Sequence, residues 1–508
     1  MESLRVLHDA GIEKKLSEKF GLDQFFAKRL LKGDYTPERG ALFSRLMKES
    51  REGHLCIEES NPPAFPPHLV EEGKGLEVSS PVIRNGGRFY LHKNWIYETY
   101  LLQEIQRLLT TPPPVICDEQ SFLDALKKEN LLPKQTLAIK NALKQRISLI
   151  CGGPGTGKTY TAASFVRSLL ASGNKTLRIF LTAPTGKAAS HLHLAIGSEK
   201  CQAMTLHRLL NVQPGKNRKE QKIIDADLLI IDEASMLDAP LFFKTLESMG
   251  EGTRLLLMGD PDQLPPIEAG SVFREMSELF GSQLDVSMRV ENQTLHSLAS
   301  DIHRGQMPSE ILLPFPQDLT WELLKKLDPI LAYEEPDPVM CLKKLDAFRI
   351  VNALRVGPFG CDTINEALFL ALASRIAIGQ WWAIPIMVTR NTPSLDLYNG
   401  SSGVLIGKSR GGIRLQEGIA YFPEKVLFKD LPPFEIAFCL SIHKSQGSEF
   451  QSVLALFPMG SEFFGKEALY TAVTRAKKSV EIMAEHQVVE KMMVKRSQRT
   501  TGFSARFV

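Results

Sequence analysis

Residues Gly152-Gly-Pro-Gly-Thr-Gly-Lys-Thr159 follow the apolar run Ile147–Cys151 and precede a helical pattern. Strand, glycine-rich turn and helix N-terminus in that order make a phosphate-binding loop. A triphosphate carries several negative charges that must be desolvated and held together. Gly152, Gly153, Gly155 and Gly157 let backbone N–H groups curl around it without Cβ clashes, Pro154 and Thr156 complete the loop, and the helix dipole favours anions there. Lys158 has the reach for the β and γ phosphates, and the Thr159 hydroxyl suits Mg²⁺. The octapeptide predicts a chain that binds and hydrolyses a nucleoside triphosphate on an α/β scaffold.

Outward from the loop, residues 116–280 alternate helical patterns with short apolar strands: Ser148–Cys151, Arg178–Thr182, Leu228–Ile231 and Arg254–Met258. Continuously apolar strands separated by helices predict a parallel sheet buried on both faces. Ligands bind such sheets at the carboxyl ends of the strands. Asp232 and Glu233 follow one strand end, so Asp232 is expected to hold Mg²⁺ through water and Glu233 to act as general base. An acidic helix cap would explain Asp232 alone, but not in company with the phosphate loop. Gln263, in the polar loop after Gly259, has the donor and acceptor to sense a γ phosphate. The alternation resumes after about 340. A Gly-rich segment from Asn399 to Asp430, with short alternating stretches at Gly403–Ile406, Gly412–Leu415 and Ile419–Phe422, reads as a small β insert.

The chain has 508 residues, too many for one core, and a formal charge of only +3. Bulk charge therefore gives no sign of nucleic acid, and any basic groove must be local. Seven scattered cysteines without a CxxC pair exclude a disulfide framework and a zinc cluster and point to a reducing cytoplasm. Met1-Glu-Ser-Leu-Arg5 does not open a signal peptide. Ala367–Val388 is apolar and long enough to span a bilayer, but Arg375, Gln380 and Pro385 interrupt it; it reads as buried helix, turn and strand. Trp381 and Trp382 in that run are core residues rather than a base-stacking platform. Residues 1–110 hold sixteen Lys/Arg and sixteen Asp/Glu. That neutrality suits docking on protein better than gripping a phosphate backbone. Lys491–Val508, with five basic and no acidic residues, reads as a solvated tail.

The motifs form an ordered series. They are Gln135, Gly152–Thr159, Thr182-Ala-Pro-Thr-Gly-Lys-Ala188, Thr205-Leu-His-Arg-Leu209, Asp232-Glu-Ala-Ser235, Gly259–Pro266, Ser287-Met-Arg289, Ser441-Ile-His-Lys-Ser-Gln-Gly-Ser-Glu-Phe450 and Leu469-Tyr-Thr-Ala-Val-Thr-Arg-Ala476. The series resembles superfamily 1 helicases of the 5′-to-3′ class, and within them it is most similar to the RecD family, the alpha subunits of exodeoxyribonuclease V (RecBCD). The likeness extends to Arg355–Gly360, Thr389–Asn391, Tyr398–Gly400 and Gly87–Trp95.

The resemblance implies the rest. Two RecA-like motor domains are expected at 116–340 and at 341–398 with 438–490. An SH3-like β insert is expected at 399–437, a helical-rich partner-docking domain at 1–110, and a basic tail at 491–508. Gln135 would recognise adenine, making ATP the nucleotide. Arg289 and Arg475 would reach the γ phosphate across the interdomain cleft, as a planar guanidinium suits a phosphoryl transition state. Gln446 and Gly447 would lie nearest the nucleotide. Lys187, Thr205, His207, His443 and Lys444 would lie along single-stranded DNA. The activity implied is a DNA-stimulated ATPase and helicase acting at duplex ends in recombinational repair. It would assemble with a RecC-like gamma subunit and a RecB-like beta subunit that carries the nuclease. A stand-alone helicase, or a mainly regulatory subunit with a secondary motor, is the alternative.

Overall fold

The computed structural model describes residues 21–173, 177–211, 223–286, 293–307, 311–328, 335–495 and 499–507. The leading segment pairs the helices 21–31, Pro37–Arg51 and His92–Thr110 with four short strands, β1 (Cys56–Glu58), β2 (Val70–Glu72), β3 (Val82–Asn85) and β4 (Arg88–Leu91), in the order β1-β4-β3-β2. This sheet was not expected in a helical-rich domain. Its strands are only three or four residues long, too short to show a period, and Asn85-Gly86-Gly87 makes the β3–β4 hairpin turn.

The first motor sheet contains β5 (Ile147–Gly152), β6 (Ile179–Ala183), β7 (Cys201–Thr205), β8 (Leu228–Ile231), β9 (Arg254–Gly259) and β10 (Ser282–Leu284), all parallel, in the order β10-β5-β9-β8-β6-β7. Successive side chains point to opposite faces of a strand, and here both faces are covered. Leu229, Ile231, Leu255 and Leu257 enter one core, whereas Leu228, Ile230, Leu256 and Met258 enter the other. That double burial is why these strands read as unbroken apolar runs.

Ten strands follow: β11 (Leu312–Leu313), β12 (Phe348–Asn352), β13 (Trp381–Val388), β14 (Ser402–Lys408), β15 (Ile419–Phe422), β16 (Glu424–Leu427), β17 (Phe434–Ile436), β18 (Cys439–Ser441), β19 (Phe450–Phe457) and β20 (Ala476–Ala484). The second parallel sheet has the order β11-β20-β19-β12-β18, and an antiparallel sheet has the order β16-β15-β14-β13-β17. The antiparallel sheet stands where the insert was expected, but it begins at β13, ahead of the 399 boundary. Gly412–Leu415, expected as a strand, is not one; Gly411 and Gly412 turn the chain at φ +107° and +133°. Trp382 is fully buried in this region's core, whereas Trp381 is half-buried with Lys408 over its ring. The 340 boundary of the first motor domain also moves. Ile302 lies in the core of the second sheet, Leu319, Leu323, Leu324 and Leu327 pack with Leu368 and Leu372 beside it, and β11 pairs with β20. Periodicity shows that a helix has an apolar face, not which sheet that face will cover. No helix among the described residues is long and apolar enough to cross a membrane.

The tail departs furthest from expectation. Phe503 is fully buried, and Phe507 stacks between Phe503 and Phe280. Arg506 pairs with the buried Glu98 at 2.8 Å, donates to Thr99 Oγ1 at 2.7 Å and lies 3.8 Å over the Trp95 ring. Glu98 also accepts from the Gly502 N–H at 2.8 Å. Counting charges predicted a solvated tail, but one cation meets a buried acid. Removing one partner of such a pair leaves the other uncompensated, at about 3–5 kcal/mol. Arg506→Ala should therefore lower the chain's unfolding midpoint in a thermal melt by several degrees. Glu98→Gln combined with Arg506→Met, which removes both charges, should restore much of the loss.

Candidate ATP cleft and nucleic-acid track

The phosphate loop turns at Gly155 and Gly157, whose φ values of +74° and +83° fall in the region that side chains disfavour. At Gly153 the constraint is space: a Cβ there would sit 3.0 Å from Tyr470 Oη, which comes from the second motor domain. The helix Lys158–Ser172 starts at the loop's end. Lys158 Nζ donates to the carbonyls of Gly152 and Gly153 at 2.6 and 3.0 Å, so the loop and its lysine are already folded together. Gln135 is buried beside them. Its Oε1 accepts from the Leu132 N–H at 3.0 Å and its Nε2 donates to the Thr156 carbonyl at 3.2 Å. Both ends of its amide are thus engaged in bracing the loop against the helix Pro133–Lys144.

Asp232 emerges from β8, its N–H donating to the Thr182 carbonyl of β6 at 2.8 Å. Glu233 N–H donates to Asp232 Oδ1 at 2.8 Å, and Glu233 adopts φ +52°. That conformation costs a non-glycine residue about 1–3 kcal/mol and turns the Glu233 side chain out of the strand line. Burial pushes the Asp232 carboxyl up to about 7; the Glu233 charge adds to this, and Lys158 pulls the other way. Asp260, at the end of β9, is pushed up to about 6, again mainly by burial. It accepts from Tyr470 Oη at 3.0 Å and from Gln263 Nε2 at 3.3 Å. Gln263 Oε1 is buried with no hydrogen-bond partner among the described residues, an acceptor suited to a water molecule. Tyr470 and Asp260 were not among the expected site residues. The signal lay in the flanks of two motifs that sequence reading had already marked.

The two motor domains are bonded to each other across the cleft at the same loop. Leu264 N–H donates to Thr471 Oγ1 at 2.9 Å, and Gln446 Nε2 donates to the Leu264 carbonyl at 3.4 Å. A Cβ added at Gly447 would lie 3.3 Å from Thr185 Oγ1 and 4.0 Å from Glu233 Oε1, so Gly447 lies across the cleft from Glu233. A cavity of about 200 Å³ opens beside the phosphate loop, lined by Gly153, Pro154, Thr156, His296, Ala299 and Tyr470 among others. Arg475 is buried, and its guanidinium bonds to the Thr471 and Ser448 carbonyls within its own domain, both at 3.2 Å. Arg289 lies outside the described residues.

The expected DNA contacts fall into two groups. Lys187, on the first turn of the helix Gly186–Ile196, faces charges of the second domain, Asp346, Arg349, Glu449 and Lys477, and burial lowers its pKa. His207 is exposed on the short helix Leu206–Leu209, which Thr205 caps through the Arg208 N–H at 3.3 Å. On the other side, Lys444 Nζ pairs with Glu435 of β17 at 2.6 Å. Burial, helped by the Arg499 charge, lowers the His443 pKa to about 4, so its ring is neutral at physiological pH. Mg²⁺ keeps most of its waters and takes one or two protein ligands plus phosphate oxygens. The Thr159 hydroxyl, on the first turn of the helix Lys158–Ser172, and the buried Asp232 carboxyl are donors of that kind.

A phosphate loop and buried carboxylates on one parallel sheet, bonded across a cleft to a second parallel sheet, define a two-domain nucleotide-driven motor. Residues 135–269 match the AAA domain family and residues 436–483 the UvrD-like helicase C-terminal domain. The chain is 31% identical over 471 residues to the RecBCD enzyme subunit RecD of Mycolicibacterium smegmatis, covering 84% of this chain and 83% of that one. It is 28% identical over 428 residues to the ATP-dependent RecD2 DNA helicase of Deinococcus radiodurans, covering 80% and 57%. A solved Pif1 helicase from Bacteroides in complex with ADP-AlF3 and ssDNA is 16% identical, with 73% of this chain and 95% of that chain covered at a TM-score of 0.43. The chain belongs to the RecD family of helicases.

The raised Asp232 and Asp260 carboxyls have a pH consequence. Their folded pKa values exceed the unfolded ones, so the stability they contribute is present at acid pH and is lost as pH rises through about 6 to 7. Asp232→Asn should therefore raise the melting temperature of the nucleotide-free chain at pH 8 and change it little at pH 4. The same substitution should abolish the extra stabilisation that Mg²⁺ adds to a non-hydrolysable ATP analogue. Equal melting shifts at both pH values would contradict the assignment.

Proposed function

We propose that this ATP-driven DNA helicase works as the 5′-to-3′ motor subunit of a RecBCD-type helicase–nuclease acting on duplex ends in recombinational repair. The observation that carries this reading is the loop Asp260–Pro266. It ties Gln263 to Asp260, whose carboxyl feels Lys158 of the phosphate loop, and is bonded to Tyr470, Thr471 and Gln446 of the second motor domain. A change at the γ phosphate therefore reaches both halves of the DNA track. Lys158 and the loop glycines hold the phosphates; Thr159 and Asp232 hold Mg²⁺, which supplies charge neutralisation on the phosphate oxygens; Glu233 takes the proton from the attacking water. Gln135 recognises the adenine edge, exchanging for it the bonds with which its amide braces the loop in this state. Arg475 and Arg289 act as the cations that meet charge in the transition state. In the present state Arg475 is stowed on backbone carbonyls, so this role requires the cleft to close further.

The neutral N-terminal domain docks a RecC-like gamma subunit, with the nuclease on a RecB-like beta subunit. Leu22, Phe25 and Phe26 are exposed on the helix 21–31, a feature that suits protein docking. All seven cysteines are free thiols, which suits a reducing cytoplasm.

Full-length protein tests the motor. Lys158→Gln should abolish DNA-stimulated hydrolysis and weaken nucleotide binding. Arg475→Ala should leave binding nearly intact and cut turnover by about 10³–10⁵-fold, the usual worth of an arginine finger. Turnover within about threefold of wild type would remove Arg475 from the mechanism. Unwinding of a 5′-tailed duplex, but not a 3′-tailed one, checks direction, and co-expression with the two partner chains checks assembly.

The Lys444–Glu435 pair makes a separate prediction. A DNA phosphate must displace the Glu435 carboxylate to reach Lys444. Glu435→Gln should tighten single-stranded DNA binding a few-fold and steepen its salt dependence by roughly one ion. Fluorescence anisotropy titrations at several salt concentrations read both, and unchanged affinity would place Lys444 off the DNA track.

A further inference from the structure

The segment Arg499–Phe507 touches the N-terminal domain, the first motor domain and the loop Asp260–Pro266. Its source is the helix His486–Val494, whose Val488, Val489 and Met492 lie in the second motor domain's core, and the Lys466 N–H donates to the Lys495 carbonyl at 3.2 Å. Beyond it, Arg499 Nη2 donates to the Pro266 carbonyl at 3.3 Å, in the loop that carries Gln263. The same guanidinium lies flat on Gly53 of the N-terminal domain, where a Cβ would come within 2.6 Å of it. Thr500 then pairs like a strand with the chain after Gly53: its carbonyl accepts from the Leu55 N–H at 2.9 Å and its N–H donates to His54 Nδ1 at 2.9 Å. Ser504 donates to Glu275 of the first motor domain from both N–H and hydroxyl, at 2.8 and 2.6 Å. Gly502 and Arg506 end on Glu98, and a Cβ at Gly502 would fall 1.9 Å from Tyr90 Oη, so the chain has one path through this junction.

We propose that Arg499–Phe507 is a strap that couples the N-terminal domain to the ATP cleft, with Arg499 the positioning residue for the loop bearing Gln263. The proposal rests on the reading that this loop takes part in hydrolysis. A staple that merely fastened the N-terminal domain would need only the Glu98, Glu275 and Phe503 contacts. Arg499 is set apart from those and spans the N-terminal backbone and the cleft loop together. His443, on the DNA side of the second motor domain, is near enough to feel its charge. A partner that shifts the N-terminal domain would therefore move Gln263 through two consecutive residues, Arg499 and Thr500.

The test compares wild type, Arg499→Ala, Arg499→Lys and Arg506→Ala as full chains. Hydrogen exchange reads the loop directly. Arg499→Ala should speed exchange at the Leu264 amide, which bonds across the cleft, while leaving the Gly502 amide protected. Arg506→Ala should loosen the strap from its far end and speed Leu264 exchange as well. In DNA-stimulated hydrolysis Arg499→Ala should lower kcat about 5- to 20-fold and move KM for ATP less than about twofold, the pattern of a group that orients the chemistry without holding substrate. Arg499→Lys still donates to Pro266 and should recover most of the rate. Unchanged Leu264 exchange in Arg499→Ala overturns the positioning role. A response to Arg499→Ala with none to Arg506→Ala overturns coupling to the N-terminal domain. If wild type itself shows no DNA-stimulated hydrolysis, the functional reading fails, and the exchange data alone decide the strap.

Discussion

Asp232 and Asp260 end neighbouring strands, both are buried, and Lys158 is the cation that both carboxyls feel. Burying negative charge this way is unfavourable in the absence of substrate, and the raised pKa values measure that. The strain is useful. A site short of positive charge and rich in N–H groups at a helix N-terminus would be completed by a metal–triphosphate, which would bring the cation to the carboxylates and the anion to the loop. The parallel sheet fixes the arrangement. Pairing of β5, β9 and β8 in register brings the phosphate loop and both acids to one edge, with apolar layers on either face excluding water beneath them.

The second domain reads this charge through hydroxyls and an amide, not through a bound cation. Tyr470 reaches Asp260 with its hydroxyl, Thr471 takes the Leu264 N–H, and Gln446 meets the Leu264 carbonyl. Each is a hydrogen bond worth about 0.5–1.5 kcal/mol net. With the ion pairs Arg274–Glu467 at 3.5 Å and His303–Asp262 at 3.1 Å beside them, these bonds join the domains through polar contacts that can be remade, which a large apolar interface would not allow. Arg475, buried on backbone carbonyls of its own domain, is compatible with that view, because a guanidinium kept bonded until needed carries no uncompensated charge in the resting state.

What was legible in the sequence follows from the range of the forces involved. The phosphate loop, β8 with its acids, and β9 are local patterns in which neighbouring residues fix strand, turn and helix start, and they lie where reading placed them. The helix Gln293–Arg304 and the strand β11 fall within the bounds 116–340 expected for the first motor domain but pack on the second sheet, because their apolar residues specify burial without specifying the partner. A strand was foreseen at Ala383–Val388, within β13, but not as antiparallel, since direction is set by the chain's route and not by the strand itself. Asp260 and Tyr470, more than two hundred positions apart, become a pair only once two sheets face each other.

The tail failed for a related reason, and it changes the account of the N-terminal domain. A surplus of cations suggests solvation only if no acid awaits them, and Glu98 sits in the middle of an amphipathic helix where a core residue would be unremarked. Once Arg506 neutralises it, the N-terminal domain and the first motor domain share a junction closed by residues from the far end of the chain. An autonomous docking module would need its own closed core. This one has a small core around Leu31, Phe43, Leu46 and Phe89, but its last helix puts Leu101 and Ile105 into the same core as Phe503, so that side is closed only once the C-terminus is in place. Removing residues 1–110 would accordingly expose the strap and the faces of the helices it covers, and the motor left behind would differ from the one that works within the intact chain.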